Sequence, residues 1–115
     1  MSREIGIDIV EFAEIKKKIS EKFVKRILSI SELQRYDSIS NEKRKLEYIA
    51  GRFAAKEAYT KVYKRFEEPL NFVDVQVLSD EFGAPYIISK YRPEDTVKVS
   101  ISHSENYVVA ICIKE

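Results

Sequence analysis

The stretch Ile49-Ala-Gly-Arg-Phe-Ala-Ala-Lys-Glu-Ala-Tyr-Thr-Lys61 decides the fold, because it is the middle of the only long helical pattern in the chain. Apolar residues recur here at intervals of three and four, the spacing that places side chains on one helix face. This set comprises Leu46, Ile49, Ala50, Phe53, Ala54 and Ala58. Glu57 falls on the same face, which predicts a carboxylate within a buried surface.

A buried charge without a partner is costly, so the sequence predicts that another group meets Glu57. The candidates are a neighbouring cation such as Lys56 or Lys61, a shared proton, or a metal ion held together with a second carboxylate. The pattern alone leaves these alternatives open.

Composition indicates one soluble domain spanning residues 1–115. The net charge of +1 gives no strong field for nucleic acid, so we expect no nucleic-acid partner. The single cysteine, Cys112, excludes an internal disulfide and is expected to be a buried thiol. Because no signal peptide or membrane-spanning apolar run is recognised, we expect a cytoplasmic protein with no membrane partner.

Periodicity predicts an α+β fold, in which an antiparallel sheet packs against one long helix and a short basic helix. Helical patterns are predicted at 12–30, with a break near Ser20, at 31–36, and from about Asn41 to about Lys64. Strands are predicted at 5–10, 73–78, 85–89, 97–103 and 108–113.

Asp8 is the first candidate partner for Glu57, because a carboxylate is equally unexpected on a strand rich in isoleucine. Two carboxylates between a sheet and its helix would repel unless they share a proton or a cation. Magnesium, with waters and substrate phosphates completing its coordination, fits such a pair. The alternative places Asp8 at the surface and pairs Glu57 with Lys61 one turn on.

His103 is the only histidine, and it lies at a strand end, where a structural role is more common than catalysis. The argument for a chemical role is that histidine is the residue type whose ordinary pKa lies nearest to neutral pH. Ser100, Ser102 and Ser104 alternate onto the opposite face, and no base is placed beside them, so a hydrolase triad is disfavoured. Two basic clusters, 16–26 and 43–45, favour acidic or phosphate-bearing partners.

Four stretches, in this order, resemble the holo-acyl carrier protein synthase family of phosphopantetheinyl transferases. They are Gly6-Ile-Asp-Ile-Val-Glu11, Phe23-Val-Lys-Arg-Ile-Leu-Ser29 with Glu32, Gly51-Arg-Phe-Ala-Ala-Lys-Glu-Ala-Tyr-Thr-Lys61, and Val99-Ser-Ile-Ser-His-Ser104. The resemblance covers nearly the whole chain.

The resemblance implies that Asp8 and Glu57 are magnesium ligands, with manganese as a possible substitute. It further implies a homotrimer that binds coenzyme A between subunits. The reaction that the resemblance implies is attack by a serine hydroxyl of apo-acyl carrier protein on the phosphorus next to pantetheine, with adenosine 3',5'-bisphosphate as the leaving group. The implied product is a holo-carrier protein for fatty acid biosynthesis, a pathway of lipid metabolism.

The family pattern also implies roles for other residues. The catalytic set is Glu57, His103 and Lys61, with Glu57 and His103 as rival proton acceptors. The residues expected to bind coenzyme A are Lys43, Arg44, Arg52, Lys56, Lys61, Ser102 and His103. Those expected to dock the carrier protein are Lys16, Lys17, Lys18, Lys22, Lys25 and Arg26.

The chain departs from the family in two places. The basic helix opens with Glu14, near which many relatives carry an arginine, and the segment after Lys61 has no glycine. Without glycine's backbone freedom, Lys64 and Arg65 are expected to contact the nucleotide through their side chains. The rival function is a binding module that holds coenzyme A or an acidic helix without turnover.

Overall fold

The computed structural model describes residues 4–63, 69–91 and 96–115. Within these ranges the helices are α1 (Phe12–Lys18), α2 (Glu21–Ile27), α3 (Ile30–Ser38) and α4 (Glu42–Tyr63). The strands are β1 (Glu4–Glu11), β2 (Val75–Ser79), β3 (Pro85–Ser89), β4 (Val97–His103) and β5 (Tyr107–Lys114), and a 3-10 turn spans Phe72–Asp74. The predicted α+β class, with antiparallel strands and one long helix, is confirmed.

The strands form two antiparallel sheets. The larger sheet has the order β1-β5-β4, so the first strand of the chain pairs with the last. In its register Asp8 lies opposite Ala110, and His103 lies opposite Val108. Strands β2 and β3 form a separate hairpin. Because β1 and α4 carry the two unexpected carboxylates, the packing of α4 on this sheet determines whether they meet.

Helix α4 packs very closely against β1, and Gly6 is the reason that it can. A Cβ atom at Gly6 would collide with the backbone carbonyl oxygen of Ala58, so no larger residue fits without displacing the helix. Small buried residues continue this contact along α4 and β5, where Ala54, Ala58 and Ala110 are at most 1% exposed. The close approach brings the inner face of β1 directly under α4.

Side-chain caps set the beginnings of three helices. The Ser20 hydroxyl accepts a hydrogen bond from the Phe23 amide at 3.1 Å, which starts α2 and divides the predicted basic helix in two. Ser29 and Glu32 form a capping box at the start of α3. The Asn41 side chain accepts from the Arg44 amide at 3.0 Å at the start of α4. The predicted break near Ser20 is therefore confirmed.

The outer face of the larger sheet is apolar and open. Ile5, Ile7 and Ile9 on β1 are 60%, 55% and 65% exposed. Their register partners on β5, which share the same face, are Ile113, Ile111 and Val109. Such a continuous exposed apolar face is typical of a surface that another protein chain covers.

Some sequence-based expectations lie outside the described ranges. The end of the long helix at about Lys64 and the nucleotide contacts of Lys64 and Arg65 are among them. None of the helices in residues 4–63, 69–91 and 96–115 combines the length and apolar character needed to cross a bilayer.

Candidate active site

The two unexpected carboxylates approach each other where β1 passes under α4. Alternation directs Asp8 to the inner face of β1, and its side chain is 19% exposed. Lys61 lies 3.4 Å from Asp8, measured from Nζ to Oδ1, and also donates to the Ile7 carbonyl oxygen at 2.8 Å. The ion pair of Lys61 thus involves Asp8, whereas the alternative prediction paired Lys61 with Glu57.

Electrostatics shows that Glu57 belongs to the same cluster. Burial raises the pKa of Glu57 above the ordinary value for glutamate, and the negative charge of Asp8 raises it further. Lys61 and Lys18 act in the opposite direction. The structure therefore brings Asp8, Glu57 and Lys61 together.

The cluster suits a cation that takes only a few protein ligands. Within the described residues, no three or more histidine, cysteine, aspartate or glutamate side chains are arranged to hold a metal ion. Magnesium commonly uses one or two carboxylates and completes its shell with water and phosphate oxygens. Asp8 and Glu57 supply this number and kind of donors, so they fit the expected metal.

Glu57 lines a groove of about 920 Å³ beside α2. Apolar residues Phe23, Phe53 and Phe72 line its interior, and one wall is α2 while the other is the segment 70–73. Four of the predicted docking cations also line it, namely Lys18, Lys22, Lys25 and Arg26. The groove thus combines an apolar interior, a basic wall and one carboxylate of the predicted metal site.

A second pocket, of about 590 Å³, lies at the other side of α4 and contains Arg44, Arg52 and His103. Arg52 is held firmly there. Its Nε donates to the Val77 carbonyl oxygen at 3.0 Å, and its guanidinium lies 4.2 Å from the ring centroid of Tyr48. The pocket therefore presents a guanidinium in a fixed orientation, a group well suited to phosphate.

His103 contributes to this pocket rather than to the groove beside Glu57. Its Nδ1 lies 4.0 Å from Oε2 of Glu47, and its ring packs edge-on against Phe12 with centroids 6.1 Å apart. Ser102 pairs with Val109 and therefore points to the outer, apolar face of the sheet. The structure brings His103 together with Arg44 and Arg52 but leaves Ser102 on the opposite side.

The two cavities use opposite faces of α4. Phe53, Glu57 and Lys61 are spaced by four residues and share one face. Arg44, Tyr48 and Arg52 are likewise spaced by four and lie about half a helical turn away from the first set. One chain therefore presents two partial sites that face in different directions.

The position of Lys56 corrects its assignment to the coenzyme A contacts. Both Lys56 and Glu32 are fully buried, and they form an ion pair of 2.5 Å between Nζ and Oε1. Burial lowers the pKa of Lys56, and Glu32 counters that effect. Because the ammonium has no solvent access and already binds three acceptors, we give Lys56 a structural role.

The remaining predicted cations are at the surface. Lys43 is exposed at the start of α4 and lines neither cavity. Lys16 and Lys17 are exposed on α1 outside the groove, and Lys17 forms an ion pair with Glu14 at 3.6 Å. The docking cations nearest to Glu57 are therefore those on α2 and at the end of α1.

Sequence reasoning missed three residues of these sites. The role of Glu32 as counterion of Lys56 was not foreseen, although Ser29-x-x-Glu32 has the spacing of a capping box. Tyr48 and Glu47, beside Arg52 and His103, precede Arg52 by four and five residues on α4. Helical spacing could have indicated Tyr48. Glu47 could not be indicated in this way, because it meets His103 only through the packing of β4 near α4, a contact between residues far apart in sequence.

Comparison with known proteins agrees with this architecture. Residues 4–112 match the 4'-phosphopantetheinyl transferase superfamily. The chain is 40% identical over 115 residues to the holo-[acyl-carrier-protein] synthase of Acholeplasma laidlawii, covering 100% of this chain and 98% of that protein. It is 47% identical over 114 residues to that of Anoxybacillus flavithermus, covering 96% of this chain and 93% of the relative.

Solved structures give the same result at the level of the fold. A holo-(acyl-carrier-protein) synthase from Bacillus anthracis, in complex with CoA (3',5'-ADP), superposes with a TM-score of 0.86 at 39% identity. The match covers 97% of this chain and 95% of that one. The chain therefore belongs to the 4'-phosphopantetheinyl transferase superfamily, in the branch of the holo-[acyl-carrier-protein] synthases.

Proposed function

We propose that this chain is a magnesium-dependent holo-acyl carrier protein synthase of the cytoplasm that serves fatty acid biosynthesis. It transfers 4'-phosphopantetheine from coenzyme A to a serine of apo-acyl carrier protein and releases adenosine 3',5'-bisphosphate. The serine oxygen forms the new bond to the phosphorus next to pantetheine. The bond from that phosphorus to the bridging pyrophosphate oxygen breaks, and the serine proton passes to a base.

The meeting of Asp8 and Glu57 beside Lys61 is the observation that carries this proposal. Burial and the charge of Asp8 both oppose ionisation of Glu57, so the two carboxylates are unfavourable neighbours unless a cation lies between them. A bound cation removes that repulsion and makes the paired carboxylates favourable. A magnesium ion held by Asp8 and Glu57 would supply positive charge to the pyrophosphate as its bond breaks.

The side chains near the carboxylates suit a reaction that depends on positioning and charge neutralisation. Lys61 is 51% exposed, so its ammonium can reach a phosphate oxygen while it remains beside Asp8. Of the two candidate bases, Glu57 lines the groove with the basic wall, whereas His103 lines the other pocket.

The second pocket suits the phosphorylated nucleoside of coenzyme A. Arg44, Arg52 and His103 provide donors there, and Arg52 is oriented by Tyr48 and Val77. Phosphate oxygens accept hydrogen bonds from such a fixed guanidinium in a favourable geometry. We therefore assign His103 to nucleotide binding rather than to proton transfer.

The basic wall of the groove suits the carrier protein. Lys22, Lys25 and Arg26 lie on α2 and line the groove that leads to Glu57. Lys25 already forms an ion pair with Glu21 at 2.9 Å, but both side chains are largely exposed and such pairs exchange readily. An acidic surface bound to α2 would bring its serine close to Glu57.

We propose that a complete site forms between copies of the chain in a homotrimer. One observation in its support is that the groove and the nucleotide pocket use opposite faces of α4. The other is the apolar outer face formed by Ile5, Ile7 and Ile9, which association would remove from water.

The test is the mass of apo-acyl carrier protein after incubation with the chain, coenzyme A and magnesium. We expect a gain of one phosphopantetheine, which is lost on chelation and in Asp8→Ala and Glu57→Ala. Glu81→Gln, an exposed carboxylate on the β2–β3 turn, is the matched control and should retain transfer. Unchanged transfer in either of the two alanine variants would refute the assigned metal pair.

A binding module without turnover is the second candidate. It would be favoured if the chain bound coenzyme A in a titration but modified no carrier protein. The cost of keeping two repelling carboxylates together argues against it, because a module that only binds gains nothing from that arrangement.

A further inference from the structure

The buried ion pair Glu32–Lys56 joins elements that are distant in sequence but surround the groove. The three hydrogen bonds of the Lys56 ammonium go to the Ile27 carbonyl oxygen at 2.6 Å, Glu32 Oε1 at 2.5 Å and the Phe72 carbonyl oxygen at 2.9 Å. Ile27 ends α2, and Phe72 begins the 3-10 turn. One ammonium therefore holds both walls of the groove.

Glu32 extends the connection to a third element. Its Oε1 accepts the Ser29 amide at 2.8 Å, and its Oε2 accepts the Val77 amide at 2.7 Å, so the carboxylate ties the start of α3 to β2. In the described ranges, no buried side-chain nitrogen or oxygen is left without a hydrogen-bond partner. The pair is thus fully satisfied and held in one arrangement.

Stability alone gives a weak reason for such a pair. Removing two charges from water costs roughly as much as their attraction returns, and apolar replacements are often neutral or stabilising. What the pair does provide is geometry, because Lys56 directly precedes Glu57 on α4. The backbone that carries the metal-binding carboxylate is therefore tied to the groove walls through a single side chain.

We propose that Glu32–Lys56 is a positioning pair that fixes the spacing between α2 and the segment 70–73 relative to Glu57. The pair thereby holds a carrier protein docked on α2 in line with the reacting groups. This inference rests on the proposed function for its catalytic consequence, whereas the spacing itself can be measured without any turnover.

The first arm measures that spacing. Spin labels at Lys22→Cys and Val73→Cys, which lie on the two walls, report the distance distribution across the groove. Cys112 does not compete for the label, because it is buried and burial raises the pKa of its thiol to about 12. We expect a narrow distribution in the labelled parent and a broadened one after Lys56→Met.

A matched core variant separates positioning from loss of stability. Ile49→Ala truncates a fully buried residue of the same helix that lines neither cavity. We expect it to lower the melting temperature while the distance distribution stays narrow. The proposal would be overturned if the distance distribution were as broad in Ile49→Ala as in Lys56→Met. It would also be overturned if the distribution were narrow in both variants.

The second arm is kinetic and is run well below the melting temperature of each variant. Lys56→Met should lower kcat by about tenfold or more, because misplaced reacting groups lose rate rather than binding. The KM for the carrier protein and the Kd for coenzyme A should change by less than about twofold, since the exposed cations are intact. Ile49→Ala should keep the kcat of the parent chain.

The two arms distinguish the two hypotheses. If the parent chain transfers no phosphopantetheine, the proposed function fails, and the distance measurement still decides whether the pair positions the groove. If the parent transfers normally and Lys56→Met keeps the kcat of Ile49→Ala, the pair only supports the fold.

Discussion

At the scale of a single residue, the ionised form of Glu57 is disfavoured by burial and by Asp8, and a cation bound to both carboxylates would favour it. The raised pKa of Glu57 means that the folded chain binds a proton here more tightly than the unfolded chain does. The free energy of unfolding falls as pH rises from the ordinary glutamate value of 4.5 through the raised pKa.

Asp8→Asn should lower the pKa of Glu57 in the metal-free protein, because it removes one of the two causes that raise it. The burial of Glu57 remains, so the shift should be partial. Carbon-detected NMR titration of the Glu57 carboxyl measures it directly. Glu81→Gln, which changes a charge that does not act on Glu57, should leave the titration unchanged. A pKa equal in Asp8→Asn and the parent would contradict the assigned proximity.

Cys112 should be unreactive in the folded protein. Burial raises its thiol pKa to about 12, so almost no thiolate exists at about pH 8. Iodoacetamide should therefore leave the native chain unmodified and alkylate it rapidly in denaturant, as followed by intact mass. Rapid native alkylation would show that β5 opens to solvent.

At the scale of elements, the packing of α4 on the larger sheet involves two glycines with opposite expected behaviour. A Cβ at Gly6 would collide with the Ala58 carbonyl oxygen, whereas one at Gly51 would lie 3.6 Å from Ile101 Cγ2, an ordinary contact. Gly6→Ala should therefore destabilise the fold by about 3 kcal/mol, in the range of overpacked cores. Gly51→Ala should stabilise it by about 0.5–1 kcal/mol through helix propensity.

Chemical denaturation of both glycine variants checks this pair of predictions. The two substitutions add the same methyl group, so a difference between them must come from the surroundings. A Gly6→Ala variant as stable as the parent chain would mean that the helix can move away from β1 at little cost.

Local patterns predicted the elements well because they depend on neighbours in sequence. The alternation of Ile5 to Val10 and the spacing around Phe53 gave β1 and α4 directly, and a carboxylate on each apolar face indicated the Asp8–Glu57 pair. The same reasoning failed for Lys56. Its partner Glu32 is 24 residues away on another helix, and only the packing of α3 against α4 brings the two together.

At the scale of the whole molecule, the open sheet face should control assembly. Ile7→Glu places a charge in the centre of the apolar outer face, where association would have to bury it, so the proposed trimer should dissociate. Sedimentation velocity measures the mass of the species, and transfer activity should fall with it. Ile30→Glu is the control, because Ile30 is 79% exposed on α3, away from this face.

A chain that is already monomeric before substitution, or one that stays trimeric as Ile7→Glu, would refute the proposed interface. Loss of activity in Ile30→Glu equal to that in Ile7→Glu would instead indicate a general effect of the added charge.

The opposite orientation of the two faces of α4 has a genetic consequence. If each site takes Glu57 from one chain and Arg52 from its neighbour, Glu57→Ala and Arg52→Ala are defects in different halves of one site. Chains of the two inactive variants, mixed, unfolded and refolded together, should regain activity, because about a quarter of the randomly formed sites would combine two intact halves. Two damaged alleles of this gene would then complement each other within one cell.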